Sequence, residues 1–264
     1  MWQHLFEVLW FTLAYPVSLL LAVFIGYVVA EYNYRRRGFQ WKPSGIESAL
    51  ITIFGLLLSF TLLSSNNSLK ERTTFIHQSS DAVTELYRES QLLPPAERVA
   101  IRSFLLQFLS LELRAHRPGR TQVPEHSRQL AALYRQSWQR FRGSMAATST
   151  EAVAVRRLLP AFNSLSSATS RLHYANQERT PYPIIVLLII SSWAIGVLVG
   201  FTNNAQESRH YFVPVLFVII SSLTIQAIRD LDNPSLGFIR PNYTNLSDLH
   251  QLLRQEQVMD TVSP

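Results

Sequence analysis

The chain contains no cysteine, which removes disulfides, thiolate nucleophiles and Cys-based zinc centres and leaves the redox compartment unmarked. It also lacks a glycine-rich phosphate loop, a nucleophile elbow and a zinc-protease helix, the short motifs that set catalytic groups at fixed spacing. Its seven histidines, His4, His77, His116, His126, His173, His210 and His250, show no ligand-type spacing to one another or to carboxylates, so each reads as an interfacial or solvated residue. No metal, cofactor or catalytic residue is therefore expected, and the chain is not read as an enzyme. Charge is absent in one further place. It is missing from the middle of four apolar runs, Leu5 to Ala30, Ile46 to Leu63, Pro183 to Phe201 and Tyr211 to Ile228.

About 20 such residues, at ~1.5 Å of helical rise each, cross the ~30 Å of hydrocarbon in a bilayer. The expected fold is all-α: a polytopic membrane protein with four transmembrane helices plus an extramembrane helical bundle, the lipid bilayer being its first partner. Residues 1–63 hold transmembrane helices 1 and 2, and 64–181 the bundle. Residues 182–229 form a transmembrane hairpin, and 230–264 a C-terminal tail with a short helix. The first run reads as an anchor, not a secretory signal. No Lys or Arg precedes it, it is too long, and Tyr34-Arg35-Arg36-Arg37 follows where a cleavage site would be small. Pro16 inside it removes a backbone donor and is expected to kink the helix.

The net charge is +6, carried in the middle of the chain largely by arginines such as Arg88, Arg98, Arg102, Arg114, Arg135, Arg140, Arg142, Arg156 and Arg157. A basic chain raises nucleic acid as a partner. Beside four membrane spans the better reading is contact with anionic headgroups and control of topology, with no nucleic acid bound. Arg35, Arg36, Arg37 and Lys42 argue for a cytoplasmic first loop and hence a bundle on the outer side. Lys70, Arg72, Arg171, Arg179, Arg229 and Arg240 flank the opposite helix ends and reduce that asymmetry.

Helix punctuation is legible between the spans. Ser44 and Glu47 have capping-box spacing, and no stop follows until Pro94-Pro95; Leu69, Ile76, Val83, Leu86 and Tyr87 keep apolar groups at helical spacing along the way. A helix is predicted from Pro95 to Arg114 with Val99, Ile101, Phe104, Leu105, Phe108 and Leu109 inward. Another is predicted from Glu125 to Arg142 with Leu130, Leu133, Tyr134, Trp138 and Phe141 inward. Thr148 and Glu151 open a last one toward Glu178, bent at Pro160. In the hairpin, Ser192, Gly196 and Gly200 are small residues four apart, the pattern of close helix packing.

The clearest functional signal is a face of the second membrane helix. Gly45, Ser48, Thr52, Gly55, Ser59, Leu62 and Asn66 recur at three- and four-residue steps. One reading makes this a helix-helix seam. The other makes it the lining of a conduit around an oligomer axis, with Leu62 as a hydrophobic constriction and Ser64-Ser65-Asn66-Asn67-Ser68 at the mouth. A second signal is Arg229-Asp230-Leu231-Asp232-Asn233-Pro234, where carboxylates stand at the negative end of a helix dipole and require compensation. Arg229 or Arg240 supplies it by ion pairing, or the group is a cation site or gate latch.

The run Gly55-Leu56-Leu57-Leu58-Ser59-Phe60-Thr61 is followed by Lys70-Glu71-Arg72, by Glu85-Leu86-Tyr87-Arg88 and by Leu92-Leu93-Pro94. The closing Asp230-Leu231-Asp232-Asn233-Pro234 precedes Gly237-Phe238-Ile239-Arg240. Together these resemble the bestrophin-like domain family of bacterial membrane proteins, named for a distant similarity to the pentameric bestrophin anion channels. The resemblance implies a homo-oligomer in the bacterial inner membrane, small anions as a partner, and a second membrane helix that lines a pore. Two features depart from bestrophins: a hydroxyl-rich second helix, and an arginine cluster ahead of it that points the bundle outward instead of into the cytoplasm. The leading expectation is a passive anion channel with Ser48, Thr52, Gly55, Ser59, Leu62 and Asn66 facing the pore. The alternative is a non-conducting scaffold or sensor. No ionisable residue lies deep in the spans, which argues against an active transporter.

Overall fold

The structure is a computed structural model that describes residues 2–37, 45–116, 123–145, 156–204, 212–233 and 239–262. Among them are eight helices and no strand: α1 (Trp2–Arg37), α2 (Ile46–Ser90), α3 (Pro95–Ala115), α4 (Val123–Met145), α5 (Leu159–Gln177), α6 (Tyr182–Asn204), α7 (Phe212–Asp232) and α8 (Thr244–Val262). Four helical stretches are long and apolar enough to cross a membrane, and the fold is the all-α architecture expected. Ser44, Thr148, Glu151 and residues 117–122 lie outside the described residues.

The chain divides into two compact units. The first holds residues 1–68 and 179–233, so it comprises α1, the opening of α2, α6 and α7. Its interior is built by Tyr15, Leu19, Phe54, Leu58, Leu188, Ile195, Val199, Val218, Ile225 and Ile228. Helices α1 and α6 approach backbone to backbone at two reciprocal points. A Cβ on Gly26 would sit 2.0 Å from the Val197 carbonyl oxygen, and one on Gly200 would sit 2.0 Å from that of Val23. Only hydrogen fits there, which is how small residues let helices associate where lipid supplies no hydrophobic drive. Hydroxyl groups complete the pair. Tyr15 Oη donates to Ser192 Oγ at 2.8 Å, Ser192 Oγ to the Ile189 carbonyl at 2.7 Å, and Trp193 Nε1 to Ser18 Oγ at 3.1 Å. Helix α1 runs through Pro16 without a break.

The second unit holds residues 69–178 and 234–264, and so includes the rest of α2, α3 to α5, and α8. The C-terminal segment is thereby part of the bundle, with Leu246 and Leu253 in its core. Rings of Phe104, Phe108, Tyr134, Phe141 and Phe162 meet at centroid separations of 5.1 to 6.4 Å, the Phe104–Phe108 pair stacked and the others edge-on or tilted, arrangements open to aromatic rings. Two inward expectations fail. Val99 is 60% exposed, because at ~100° per residue it lies on the opposite side of α3 from the stripe running from Ile101 to Leu109. Trp138 is 41% exposed, with its ring stacked on Phe162, so it lids the core from outside. Pro160 sits in the first turn of α5, where a missing amide donor is harmless.

Candidate functional site

The geometry of α2 within the membrane-spanning unit follows from helical periodicity. Phe54, Leu58, Thr61 and Ser65 are its buried residues there, and they define the seam it makes with its own chain. Ser48, Thr52, Gly55, Ser59, Leu62 and Asn66 fall within roughly 40° of a second line, about 110° around the helix from that seam. The first four of these are exposed, while Leu62 and Asn66 are half-buried. A Cβ on Gly55 would meet nothing within 4 Å, so its lack of a side chain serves no contact inside the chain. On the third side Ile53, Leu56, Phe60 and Leu63 are all more than half exposed. The helix thus has a self-facing seam, a small and hydroxylated face, and a bulky apolar face.

The hydroxyls on the small face are not idle. Thr52 Oγ1 donates to the Ser48 carbonyl at 2.8 Å and Ser59 Oγ to the Gly55 carbonyl at 2.9 Å. These bonds to the preceding turn consume the donors and leave oxygen lone pairs outward. On the seam, Thr61 Oγ1 donates to Leu57 and Ser65 Oγ lies 3.4 Å from Thr180 Oγ1. Ser192, Gly196 and Gly200 all lie on the face of α6 turned to α1, Gly196 meeting Leu19 and Ala22.

Arg229, Asp230 and Asp232 belong to the last turn of α7, closed by the Asn233 amide donating to the Asp230 carbonyl at 3.2 Å. Asp232 is 7% exposed, and neither carboxylate oxygen has a hydrogen-bond partner among the described residues. A buried carboxyl at the negative end of a helix is an unfavourable arrangement unless something compensates it. Arg240 lies in the second unit and is exposed.

The second unit contains a polar cluster that spacing did not reveal. Glu112, with a side chain 3% exposed, has its Oε1 3.3 Å from His126 Nε2 and its Oε2 3.6 Å from His116 Nδ1. His116 ends α3, its Nδ1 is 2.8 Å from the Glu112 carbonyl oxygen, and its Nε2 is 3.3 Å from Asn176 Nδ2. The ring of Tyr243 stacks on that of His116 at 4.2 Å. From α2, Arg72 is wholly buried and donates from Nε to the Ala175 carbonyl at 2.9 Å and from Nη2 to the Glu178 carbonyl at 2.7 Å. Burial pushes the Tyr134 and Tyr243 hydroxyls far above the ordinary phenol range, with the Glu112 charge adding to it. Glu112 and His116 stand at i and i+4, the one local signal of this cluster; His126 and Tyr243 join only through the fold. No group of three or more His, Asp or Glu among the described residues is placed to hold a metal ion.

The sequence profile of the bestrophin-like domain family matches residues 48–242. A bacterial bestrophin homolog from Klebsiella pneumoniae has a similar structure, with a TM-score of 0.69 and 14% identity over 90% of this chain and 96% of that one. A point variant of that homolog gives a TM-score of 0.68 and 14% identity over 98% of this chain and 100% of the other. Identity this low speaks for a shared fold alone. No functionally curated protein matches the chain in sequence.

Proposed function

We propose that this chain, which belongs to the bestrophin-like domain family, assembles with copies of itself in the bacterial cytoplasmic membrane as a passive pore for small anions. The observation that carries this reading is the three-way division of α2. A face whose small and hydroxylated residues from Ser48 to Ser59 are exposed, with open space at Gly55, suits the wall of a conduit, while Leu62 at its end packs in part against the chain's own core. The apolar face about 100° beyond it suits a neighbouring copy. Ser48, Thr52, Gly55 and Ser59 line the wall, Leu62 narrows it, and Asn66 stands at its mouth. The net charge of +6 raises the concentration of anions near the assembly.

The bonds from Thr52 and Ser59 to their own helix favour a second reading. A face whose donors are already satisfied can lie against another helix, and the assembly would then be a non-conducting scaffold or sensor. Vesicles loaded with chloride and carrying the purified protein separate the two. Leakage that rises several-fold in Leu62→Ala is the expected result. Vesicles that stay tight while holding folded oligomer leave the scaffold standing, and a monomer in detergent removes the axis on which the pore depends.

A further inference from the structure

The cluster around Glu112 gathers polar groups from four helices of the second unit and from the approach to α8. Arg72 comes from α2, Glu112 and His116 from α3, His126 and Tyr134 from α4, Asn176 from α5, and Tyr243 from the residues leading into α8. His173 on α5 stands beside it, its Nε2 2.8 Å from Gln177 Nε2 and 3.5 Å from Ser127 Oγ, next to His126. Arg72 ties down the end of α5, but the other ionisable groups are more than a bundle with this apolar core requires to hold together.

The bonds of His116 specify one protonation state. Its Nδ1 is 2.8 Å from the Glu112 carbonyl, which can only accept, so Nδ1 carries a hydrogen. Its Nε2 faces the Asn176 amide nitrogen at 3.3 Å, which can only donate, so Nε2 is bare. The imidazole is neutral, and both nitrogens are satisfied. The same Asn176 amide reaches the Tyr243 hydroxyl, while its Oδ1 is buried with no hydrogen-bond partner among the described residues.

We propose that Glu112, His116, His126, Asn176 and Tyr243 form a proton-operated latch that holds the lead-in of α8 against the end of α3 at neutral pH and loosens it in acid. A proton on His116 Nε2 confronts the Asn176 amide with a second donor. The amide must turn over to offer Oδ1, and in turning it withdraws its nitrogen from Tyr243. The new imidazolium gains the Glu112 carboxylate and the face of the Tyr243 ring, but it is buried and repelled by a charged His126. Burial is the largest influence on His116 and holds its affinity for a proton below the ordinary imidazole value, with Glu112 opposing and His126 reinforcing that effect. Arg72 and Glu112 act on Tyr243 with opposite sign. The closed arrangement therefore disfavours the proton, and acid disfavours the closed arrangement.

Hydrogen exchange on the full chain in detergent tests this without requiring conduction, so its failure is separate from failure of the pore. Between about pH 8 and about pH 5.5, after correction for intrinsic rates, amides at the end of α3 and from Tyr243 to Ser247 are expected to exchange roughly threefold faster or more in acid. His116→Gln abolishes the response. His126→Gln moves its midpoint to higher pH, because the repulsion is gone; this variant also carries the test should His116→Gln fail to fold. Wild-type exchange that does not respond to pH, a response that persists in His116→Gln, or a midpoint unmoved in His126→Gln each overturns the latch.

Discussion

Replacing Arg72 by Met tests how the second unit is tied together, because it preserves most of the side chain's bulk while deleting its donors. The wholly buried guanidinium bonds the carbonyls of Ala175 and Glu178, at the end of α5, where the last carbonyls lack partners in their own helix. The cation also stands at the negative end of that helix. A hydrogen bond to a charged group contributes about 1.5 to 3 kcal/mol, so losing two, partly offset by the gain of an apolar group in an apolar place, costs about 3 to 5 kcal/mol. Against a domain stability of about 5 to 15 kcal/mol that loss is large enough to open the unit locally. The assay is denaturant unfolding in mild detergent, combined with exchange of the α5 amides. Arg72→Lys, whose compact ammonium reaches one carbonyl but not both, is expected to recover about half the loss. A Met variant within about 1 kcal/mol of wild type, with unchanged protection along α5, would show that water replaces the guanidinium and that the tie is dispensable.

Gly200→Ala is expected to cost about 1 to 3 kcal/mol or more, because its new methyl group meets the Val23 backbone and no flexible side chain can give way; thermal unfolding reads the loss. Gly55→Ala is expected to stabilise the isolated chain by up to about 1 kcal/mol, since it lies inside a helix and nothing lies within 4 Å of its Cβ position; a change in oligomer mass in that variant would locate a contact with another copy. Stability should also fall in alkali. Tyr134 and Tyr243 have raised proton affinities in the folded chain, so the unfolded chain releases their protons first. Above the ordinary phenol value of 10.0 it binds fewer protons than the folded chain, and stability declines as pH rises. Tyr134→Phe should blunt that decline, as followed by the unfolding midpoint from neutral pH to about pH 11.

The spans were legible because length and lack of charge are properties of contiguous residues, and burial against lipid asks for nothing else. The stripe from Ile101 to Leu109 was legible for the related reason that one helix face is a local pattern. Val99 was misplaced by counting it as apolar without following its angle around the helix. The Glu112 cluster was illegible for a different reason. His126 reaches Glu112 from the next helix, Asn176 arrives from a helix about sixty residues further on, and Tyr243 from beyond two membrane spans; such convergence is a product of topology, and only the Glu112 to His116 spacing announces it. Arg72 shows the limit from the other side. In sequence it counts as one more flanking cation, whereas in the fold it is a buried cap whose charge never meets solvent.

That contrast bears on how the arginines of this chain act. A cation buried against helix carbonyls has its donors committed and contributes little to the field outside, so Arg72 belongs to the scaffold and not to any attraction of anions. Exposed arginines such as Arg88, Arg114, Arg135, Arg140 and Arg171 keep their charge at the surface, where salt screens it over about 8 to 10 Å. If the positive surface feeds a conduit, anion flux must fall with added inert salt at constant chloride gradient, and Arg→Gln changes at exposed positions must flatten that dependence. Arg72 must do neither. Its replacement should lower the amount of folded protein and leave the salt response of the remainder as it was, a separation that total flux alone would conceal and flux per folded oligomer reveals.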